Sequence, residues 1–144
     1  MYKKVFIDAN IFIDINDRDR KTYQNSLKLL NYLTLNKIEI YTSCDLITTI
    51  YYILSKKSKL NALNGIEQIN KICKVIEFSN KEISQTCKLM KKNNNFTDLE
   101  DTIQYILAKK LNCKLIISND KNFYSEEIKL MNSEIFCREY LKWI

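Results

Sequence analysis

Apolar residues recur along this chain with two different spacings, and their alternation predicts an alternation of strands and helices. Short apolar runs bounded by polar residues are typical of buried strands. Five such runs cover residues 4–7, 38–41, 75–78, 115–117 and 128–131. Between them, apolar residues three and four positions apart indicate amphipathic helices. The predicted helices cover residues 22–35, 45–55, 59–73, 81–91, 98–111 and a closing segment from 133.

The predicted strands lack the polar alternation of a sheet that faces water, which indicates a mainly parallel sheet with helices on both faces. We therefore predict an α/β fold of three layers, α/β/α, with a central mainly parallel sheet. Residues 11–15 form a short buried helix or loop after the first strand. A chain of 144 residues suits one domain with a substantial core, and we expect residues 1–144 to form it.

Acidic residues follow two of the predicted strands and begin one of the predicted helices. Asp8 comes directly after the strand at 4–7, and Asp120 follows the strand at 115–117. Ligands bind at the carboxyl ends of the strands in an open α/β sheet. Asp98 and Asp101 stand three apart at a helix start, so they share one face and can converge on one ligand. The apolar stripe of that helix consists of Leu99, Ile103, Ile106, Leu107 and Leu111.

Each of these acids also has a purely structural interpretation. Carboxylates favour the first turn of a helix through the macrodipole, and Thr97 with Glu100 matches a capping box. In this interpretation Asp8 is a plain helix cap, and Asn10 can cap the turn that follows. We expect the acids of the next loop to be solvated beside its two arginines; these residues are Asp14, Asp17, Asp19, Arg18 and Arg20.

The composition excludes several kinds of active site. The chain has no histidine, so it lacks Ser-His and Cys-His pairs, the usual His ligands of zinc and the commonest general base. Its five cysteines are odd in number and widely spaced, which argues against a disulfide framework or a zinc cluster. A single glycine leaves no phosphate-binding glycine-rich loop. Clustered aspartates without His or Cys suit an oxygen-seeking ion such as Mg²⁺ or Mn²⁺.

A net charge of +6, from 23 basic and 17 acidic residues, favours polyanionic partners. Three lysine groups either contact phosphates or form solvated helix ends. They are Lys56, Lys57 and Lys59, then Lys88, Lys91 and Lys92, then Lys109, Lys110 and Lys114. The apolar runs are too short to cross a bilayer and no signal-peptide core follows the first residues, so we expect a cytoplasmic protein without membrane contact.

Four segments together resemble the PIN domain family, in the branch that contains the VapC-type bacterial toxins. They are Asp8-Ala9-Asn10 after the first strand, the helix SCDLITTIYYIL at 43–54, the helix start Asp98-Leu99-Glu100-Asp101 and the ending IISNDKNF at 116–123. Their order and spacing carry the resemblance, which covers nearly the whole chain. It implies a small α/β/α domain, a Mg²⁺- or Mn²⁺-dependent ribonuclease activity, and commonly a homodimer that an antitoxin protein inhibits.

The resemblance also implies roles for individual acids. It assigns catalytic roles to Asp8, Asp98, Asp101 and Asp120. Of these, Asp8, Asp101 and Asp120 bind the metal ion, and Asp98 matches an extra acid of one branch. Asn119 takes the place of Asp120 if the loop is shifted.

One position departs from the family pattern. The second family acid falls at Thr49, which is neutral, so one ligand or supporting partner of the ion is missing. Asp45 lies one helical turn earlier on the same face and can substitute only in part. Asn10 or its amide helps to hold the water network.

Two functions from different classes are consistent with these residues. The favoured one is a divalent-metal-dependent endoribonuclease that cleaves single-stranded or structured RNA, as the toxin of a type II toxin–antitoxin pair. The alternative is a catalytically weak or inactive PIN-like module that binds RNA or a protein partner. Phosphotransfer on Asp8, as in phosphatases or receiver domains, is weaker, because such phosphatases favour a second aspartate where this chain has Asn10.

Overall fold

A five-stranded sheet forms the centre of the molecule, in a computed structural model that describes residues 2–141. The strands are β1 (Lys4–Ile7), β2 (Glu39–Ser43), β3 (Lys74–Ile76), β4 (Leu115–Ile117) and β5 (Lys129–Met131). All neighbouring strands are parallel, in the order β3-β2-β1-β4-β5. Each predicted strand is confirmed, although β2 ends two residues later than predicted and β3 ends two residues earlier.

Seven helices flank the strands within residues 2–141. They are α1 (Ala9–Ile15), α2 (Tyr23–Leu35), α3 (Cys44–Leu54), α4 (Lys59–Ile72), α5 (Asn80–Lys92), α6 (Leu99–Lys110) and α7 (Ser133–Tyr140). The longer predicted helices are confirmed, and the short apolar segment after β1 is helical. No helix in this part of the chain has both the length and the apolar character to cross a bilayer.

Helices cover both faces of the sheet, which confirms the predicted three-layer α/β/α fold. Val5 and Ile7 of β1 belong to one buried cluster with α1, α2, α3, α4 and α7. Phe6, between them, belongs to a second cluster with α5 and α6. Successive side chains of a strand point to opposite faces, so β1 is buried on both sides, as expected at the centre of a parallel sheet.

The strand order reverses beside β1, and this brings the ends of β1 and β4 together. From β1 the chain steps outward to β2 and β3, then returns to the other side of β1 for β4 and β5. Ile7 pairs with Ile117, and the backbone N–H of Asp8 donates to the carbonyl of Ile117 at 3.0 Å. Asp8 and the segment after β4 therefore leave the sheet side by side, at the edge where such folds bind ligands.

The helix α6 starts at Asp98 as predicted, but two details of its first turn differ from the sequence interpretation. Asp98 is its N-cap, and the Asp98 Oδ1 accepts the backbone N–H of Asp101 at 2.9 Å. The alternative capping box of Thr97 and Glu100 is therefore wrong, because the backbone path makes Asp98 the N-cap. Leu99 is 53% exposed, so it does not belong to the buried stripe. The first turn of α6 borders the acidic edge of the sheet instead of the core.

Asp14 is also misplaced by the sequence prediction, which put it in a solvated loop. It lies in α1 and is 1% exposed. Its carboxylate accepts from Arg20 Nε at 2.7 Å, Thr22 Oγ1 at 2.6 Å and Ser26 Oγ at 2.7 Å. A carboxylate can be buried when donors surround it, and the start of α2 supplies them here.

Candidate active site

Asp8 forms the floor of the candidate site. It is 5% exposed and is the N-cap of α1. Its Oδ1 accepts the backbone N–H of Ala9 at 2.7 Å and Nε2 of Gln104 at 2.9 Å. Its Oδ2 accepts from Ser118 Oγ at 2.7 Å and Asn10 Nδ2 at 3.1 Å. The prediction that Asn10 caps the turn is therefore wrong: Asn10 supports Asp8, which is the cap.

Among residues 2–141 the donors to Asp8 are all neutral, so no positively charged side chain of this part of the chain balances its carboxylate. Burial raises the pKa of Asp8 above its ordinary value, and the nearby negative charge of Asp120 acts in the same direction. The hydrogen bonds from Ser118, Gln104 and Ala9 lower the pKa and oppose these effects. A positive ligand beside such a carboxylate would favour its charged form.

Two acids of α6 lie beside Asp8. Asp98 is exposed at the N-cap position, and Asp101 is partly buried in the first turn. The pKa of Asp101 is raised to about 8, by burial first and then by the charges of Asp8, Asp98, Asp120 and Glu100. The carboxylates that the sequence singled out therefore lie close enough to act on one another.

Asp120 enters the site from the loop after β4. Its Oδ1 accepts the backbone N–H of Asn122 at 2.9 Å, and its own N–H donates to Ser118 Oγ at 3.1 Å. Because the Ser118 hydroxyl donates in turn to Asp8, this one side chain fixes the loop of Asp120 against the floor of the site. Asp120 itself is exposed, so its carboxylate is accessible from solvent.

A fifth acid, Glu100, reaches the site from the first turn of α6, and sequence analysis missed it. Its Oε2 lies 3.5 Å from the hydroxyl oxygen of Thr49 on α3. Burial raises the pKa of Glu100, and the charges of Asp45, Asp8 and Asp98 raise it further. Acids are common in the first turn of a helix because they interact favourably with the macrodipole, so sequence analysis did not assign Glu100 to the site. The available signal was an uncharged Thr49 together with an unassigned acid in the motif of α6.

Two residues of α3 that the sequence associated with the site, Asp45 and Thr49, lie near Glu100. Asp45 is in the first turn of α3, and its Oδ1 accepts from Ser43 Oγ. Thr49 follows one turn later, partly buried, and its hydroxyl donates to Glu100. Both residues therefore face the first turn of α6, and neither donates to the carboxylate of Asp8 within residues 2–141.

Asn119 points away from the acids and ties three elements together. Its Nδ2 donates to Asp14 Oδ2 at 2.8 Å, and its Oδ1 accepts from the backbone N–H and the hydroxyl of Ser133, both at 2.9 Å. Its backbone N–H donates to Asn10 Oδ1 at 3.0 Å. Since the Asn119 side chain is engaged in this way, Asp120 is the residue of the loop that faces the other acids.

The acid cluster, which we define as Asp8, Asp98, Glu100, Asp101 and Asp120, has the chemistry of a site for a hard divalent cation. The atoms that the cluster offers to an ion are carboxylate oxygens, the ligands that Mg²⁺ and Mn²⁺ prefer. No salt bridge formed by residues 2–141 involves any member of the cluster. The repulsion among its carboxylates is therefore not offset by lysine or arginine from this part of the chain.

Gln104 adds an unsatisfied acceptor at the same place. Its amide nitrogen donates to Asp8, but its Oε1 is buried and has no hydrogen-bond partner among residues 2–141. A hydrated cation would supply the missing donor. In the described chain no three acidic or cysteine side chains are close enough to hold an ion as they stand.

The sequence matches known proteins over most of its length. A family model of the PIN domain matches residues 4–122, which include every member of the acid cluster. The chain belongs to the PIN domain family. Ribonuclease VapC1 of Aquifex aeolicus (strain VF5) is 46% identical over 138 residues, which are 96% of this chain and 96% of that protein. This likeness places our PIN domain in the VapC-type branch, as the sequence motifs predicted.

Solved structures of VapC-type proteins share the PIN fold. VapC20 from Mycobacterium tuberculosis, a sarcin–ricin loop cleaving toxin, has a TM-score of 0.68 at 12% identity, covering 87% of this chain and 98% of its own. VapBC2 from Rickettsia felis, bound to a DNA fragment from its promoter, has a TM-score of 0.66 at 19% identity, covering 90% and 98%. At these identities the likeness extends to the fold alone.

Proposed function

We propose that this PIN-domain protein is a divalent-metal-dependent endoribonuclease and the toxin of a type II toxin–antitoxin pair. The observation that carries the proposal is the convergence of five acids from β1, α6 and the loop after β4 at one edge of the sheet. The 46% identity to Ribonuclease VapC1 supports a ribonuclease reaction for this acid cluster. Because the chain has no histidine, proton transfer depends on carboxylates and an ion.

The acids of the cluster contribute in different ways to the binding of Mg²⁺ or Mn²⁺. Asp8, Asp101 and Asp120 hold the ion, and Asp98 adds negative charge at the rim. When bound, the ion supplies a positive charge that acidifies water and offsets charge on the phosphoryl oxygens. The neutral donors around Asp8 fix its carboxylate in one orientation, so this ligand needs no rearrangement to meet the ion.

Lysines near the site can hold the RNA backbone. Two of the predicted groups are engaged in part, because Lys57 pairs with Asp17 and Lys110 pairs with Glu82. The remaining group lies on α5 and consists of Lys88, Lys91 and Lys92. These lysines are exposed and take part in no salt bridge formed by residues 2–141. Since α5 ends only six residues before Asp98, these lysines suit phosphates that flank the cleaved bond.

The decisive experiment is RNA cleavage with Mg²⁺ or Mn²⁺, comparing the natural protein with Asp101→Asn. We expect cleavage that EDTA abolishes and that Asp101→Asn reduces by at least about 100-fold, since a metal ligand is lost. Asp101 is a better target than Asp8, because an amide at position 8 would set its NH₂ group against the donors that now bind the carboxylate. Asp19→Asn, which changes an exposed acid of another loop, is the matched control.

The chemical nature of the products tests the mechanism separately. Attack by water leaves a 5′-phosphate and a 3′-hydroxyl, which is what membership of this family implies. Attack by the ribose hydroxyl would leave a 2′,3′-cyclic phosphate instead. End-labelling and mass spectrometry of the fragments distinguish the two, and cyclic ends or cleavage in EDTA would refute the metal-dependent mechanism.

We extend the proposal to an antitoxin protein and a second copy of the chain as partners, in the cytoplasm where the RNA substrate lies. Exposed apolar side chains on the packed pair α3 and α4 support a protein interface: Tyr52 is 66%, Leu60 68% and Leu63 49% exposed. Light scattering of the purified protein should give twice the mass of one chain. Tyr52→Lys with Leu60→Lys should return the mass to that of one chain.

A further inference from the structure

The wall of the site formed by α3 carries no charge at the position where the family pattern predicts an acid. Thr49 stands there, and its hydroxyl oxygen lies 3.5 Å from Glu100 Oε2. Glu100 comes from a different element, the first turn of α6. A carboxylate is therefore present beside Thr49, although α3 does not supply it.

The direction of Glu100 is set by helix geometry. Successive residues of a helix are about 100° apart, so Glu100 and Asp101 point to different sides of the first turn of α6. Leu99, one position earlier, is exposed, whereas Glu100 is partly buried against Thr49. Gln104 follows one turn after both acids and donates to Asp8. The first turn of α6 thus presents Glu100 toward Thr49 of α3, while Gln104, one turn later, reaches Asp8.

Glu100 makes no salt bridge with any cation of residues 2–141. Its only hydrogen bond from another side chain in that part of the chain is the long one from Thr49. A partly buried acid among other acids is retained at a cost unless a cation compensates it. The buried and unpaired Oε1 of Gln104, beside Asp8, independently indicates a ligand at this place.

We propose that Glu100 supplies, from α6, the carboxylate that α3 lacks at Thr49, and so completes the ligand shell of the divalent ion. This inference rests on the proposed function, because it names a further residue for the same site. Thr49 is a positioning residue, whose hydroxyl donates to Glu100. The negative charge that the family pattern places at position 49 is thus supplied at position 100 instead. The neutral Thr49 therefore does not imply an inactive module.

The test measures Mn²⁺ affinity by electron paramagnetic resonance on the purified full chain, without RNA. Glu100→Gln should weaken Mn²⁺ binding by about 10- to 100-fold, the usual loss when a partner of a metal site is removed. Glu134→Gln is the matched control, since Glu134 is an exposed acid in the first turn of α7, and it should leave the affinity unchanged. The double variant Thr49→Glu with Glu100→Gln moves the acid back to α3 and should restore most of the lost affinity.

The outcomes separate this inference from the proposed function. If Glu100→Gln binds Mn²⁺ as the Glu134→Gln control does while Asp101→Asn loses binding, the role of Glu100 is refuted and the proposed function stands. If Asp101→Asn also binds normally, the proposed metal site fails. If the double variant binds no better than Glu100→Gln, the acid of α6 does not replace the acid of α3. Circular dichroism on each variant ensures that affinities are compared between folded proteins.

Discussion

Two buried aspartates of this protein have different environments, and the environment decides the role of each. Asp14 faces Arg20 Nε at 2.7 Å, so its charge is balanced within the protein. Asp8 accepts hydrogen bonds from neutral groups and lies near Asp120, so its charge is not balanced. Asp14 is therefore expected to stabilise the fold, whereas the carboxylate of Asp8 would be favoured in its charged form by a positive ligand.

Replacing Asp14 should affect stability and not ion binding. Asp14→Asn weakens hydrogen bonds to a charged acceptor, each worth about 1.5–3 kcal/mol, so we expect the free energy of unfolding to fall by at least that amount. Urea unfolding measures this change, and Mn²⁺ affinity should stay within a factor of about three. Asp19→Asn, in the same loop but exposed, should cost less than about 0.5 kcal/mol. Equal stability of the two variants would contradict the structural role of Asp14.

The pKa of Asp101 predicts how stability depends on pH when no ion is bound. Its pKa is raised from 3.8 to about 8 by burial and by neighbouring acids. The folded state therefore holds this proton more tightly than the unfolded state does. Its stabilising effect is complete below about pH 4 and is lost as the pH rises toward 8. The melting temperature in EDTA should fall over this range, and the slope should be shallower in Asp101→Asn and in Mg²⁺. A slope identical in Asp101→Asn would exclude this group as the cause.

At the scale of elements, apolar periodicity was sufficient to predict the strands and helices but not their ends. β4 and the last three residues of β1 are buried, and their short length and β-branched or aromatic side chains favour strands over helices. The alternative cap at Thr97 arose because Thr97 and Asp98 are both acceptable caps in sequence. Only the backbone path decides which oxygen reaches the N–H of Asp101.

The sequence predicted some members of the acid cluster but not Glu100. Asp8 and Asp120 follow buried strands, so the sheet rule brings them to one edge without knowledge of side chains. Glu100 was missed because its contact with Thr49 depends on how α3 packs beside α6, and no spacing within either helix records that distance. The burial of Asp14 was missed because its partners lie across a loop, on Arg20 and the start of α2.

Asp98 combines two roles that substitutions can separate. As N-cap of α6 it accepts the N–H of Asp101, and its charge belongs to the acid cluster. Asp98→Asn keeps the cap and removes the charge, so the free energy of unfolding should change by only a few tenths of a kcal/mol while Mn²⁺ binding weakens. Asp98→Ala removes both, so unfolding should become easier by about 1 kcal/mol. If urea unfolding gives the same midpoint for both variants, Asp98 does not cap the helix.

At the scale of the whole molecule, the acid cluster joins the two halves of the core. Asp8 begins α1, which packs in the cluster on one face of the sheet, and Asp101 belongs to α6, which packs on the other. The cluster lies where the strand order reverses, beside β1, whose side chains enter both halves. An ion held by Asp8 and Asp101 would link both layers, so it should stabilise the fold as a unit and not only a loop.

We therefore predict that Mg²⁺ or Mn²⁺ raises the melting temperature of the whole protein. A ligand at 100 times its dissociation constant stabilises by about 2.7 kcal/mol. For a chain of this size that corresponds to a rise of roughly 5–10 °C. Calorimetry with millimolar Mg²⁺ or Mn²⁺, against Na⁺ at equal ionic strength, measures the shift in one cooperative transition. Asp101→Asn should lose most of the shift and Glu134→Gln should keep it. An equal shift in the two variants would mean that the ions act elsewhere, since mass action at the acid cluster requires its carboxylates.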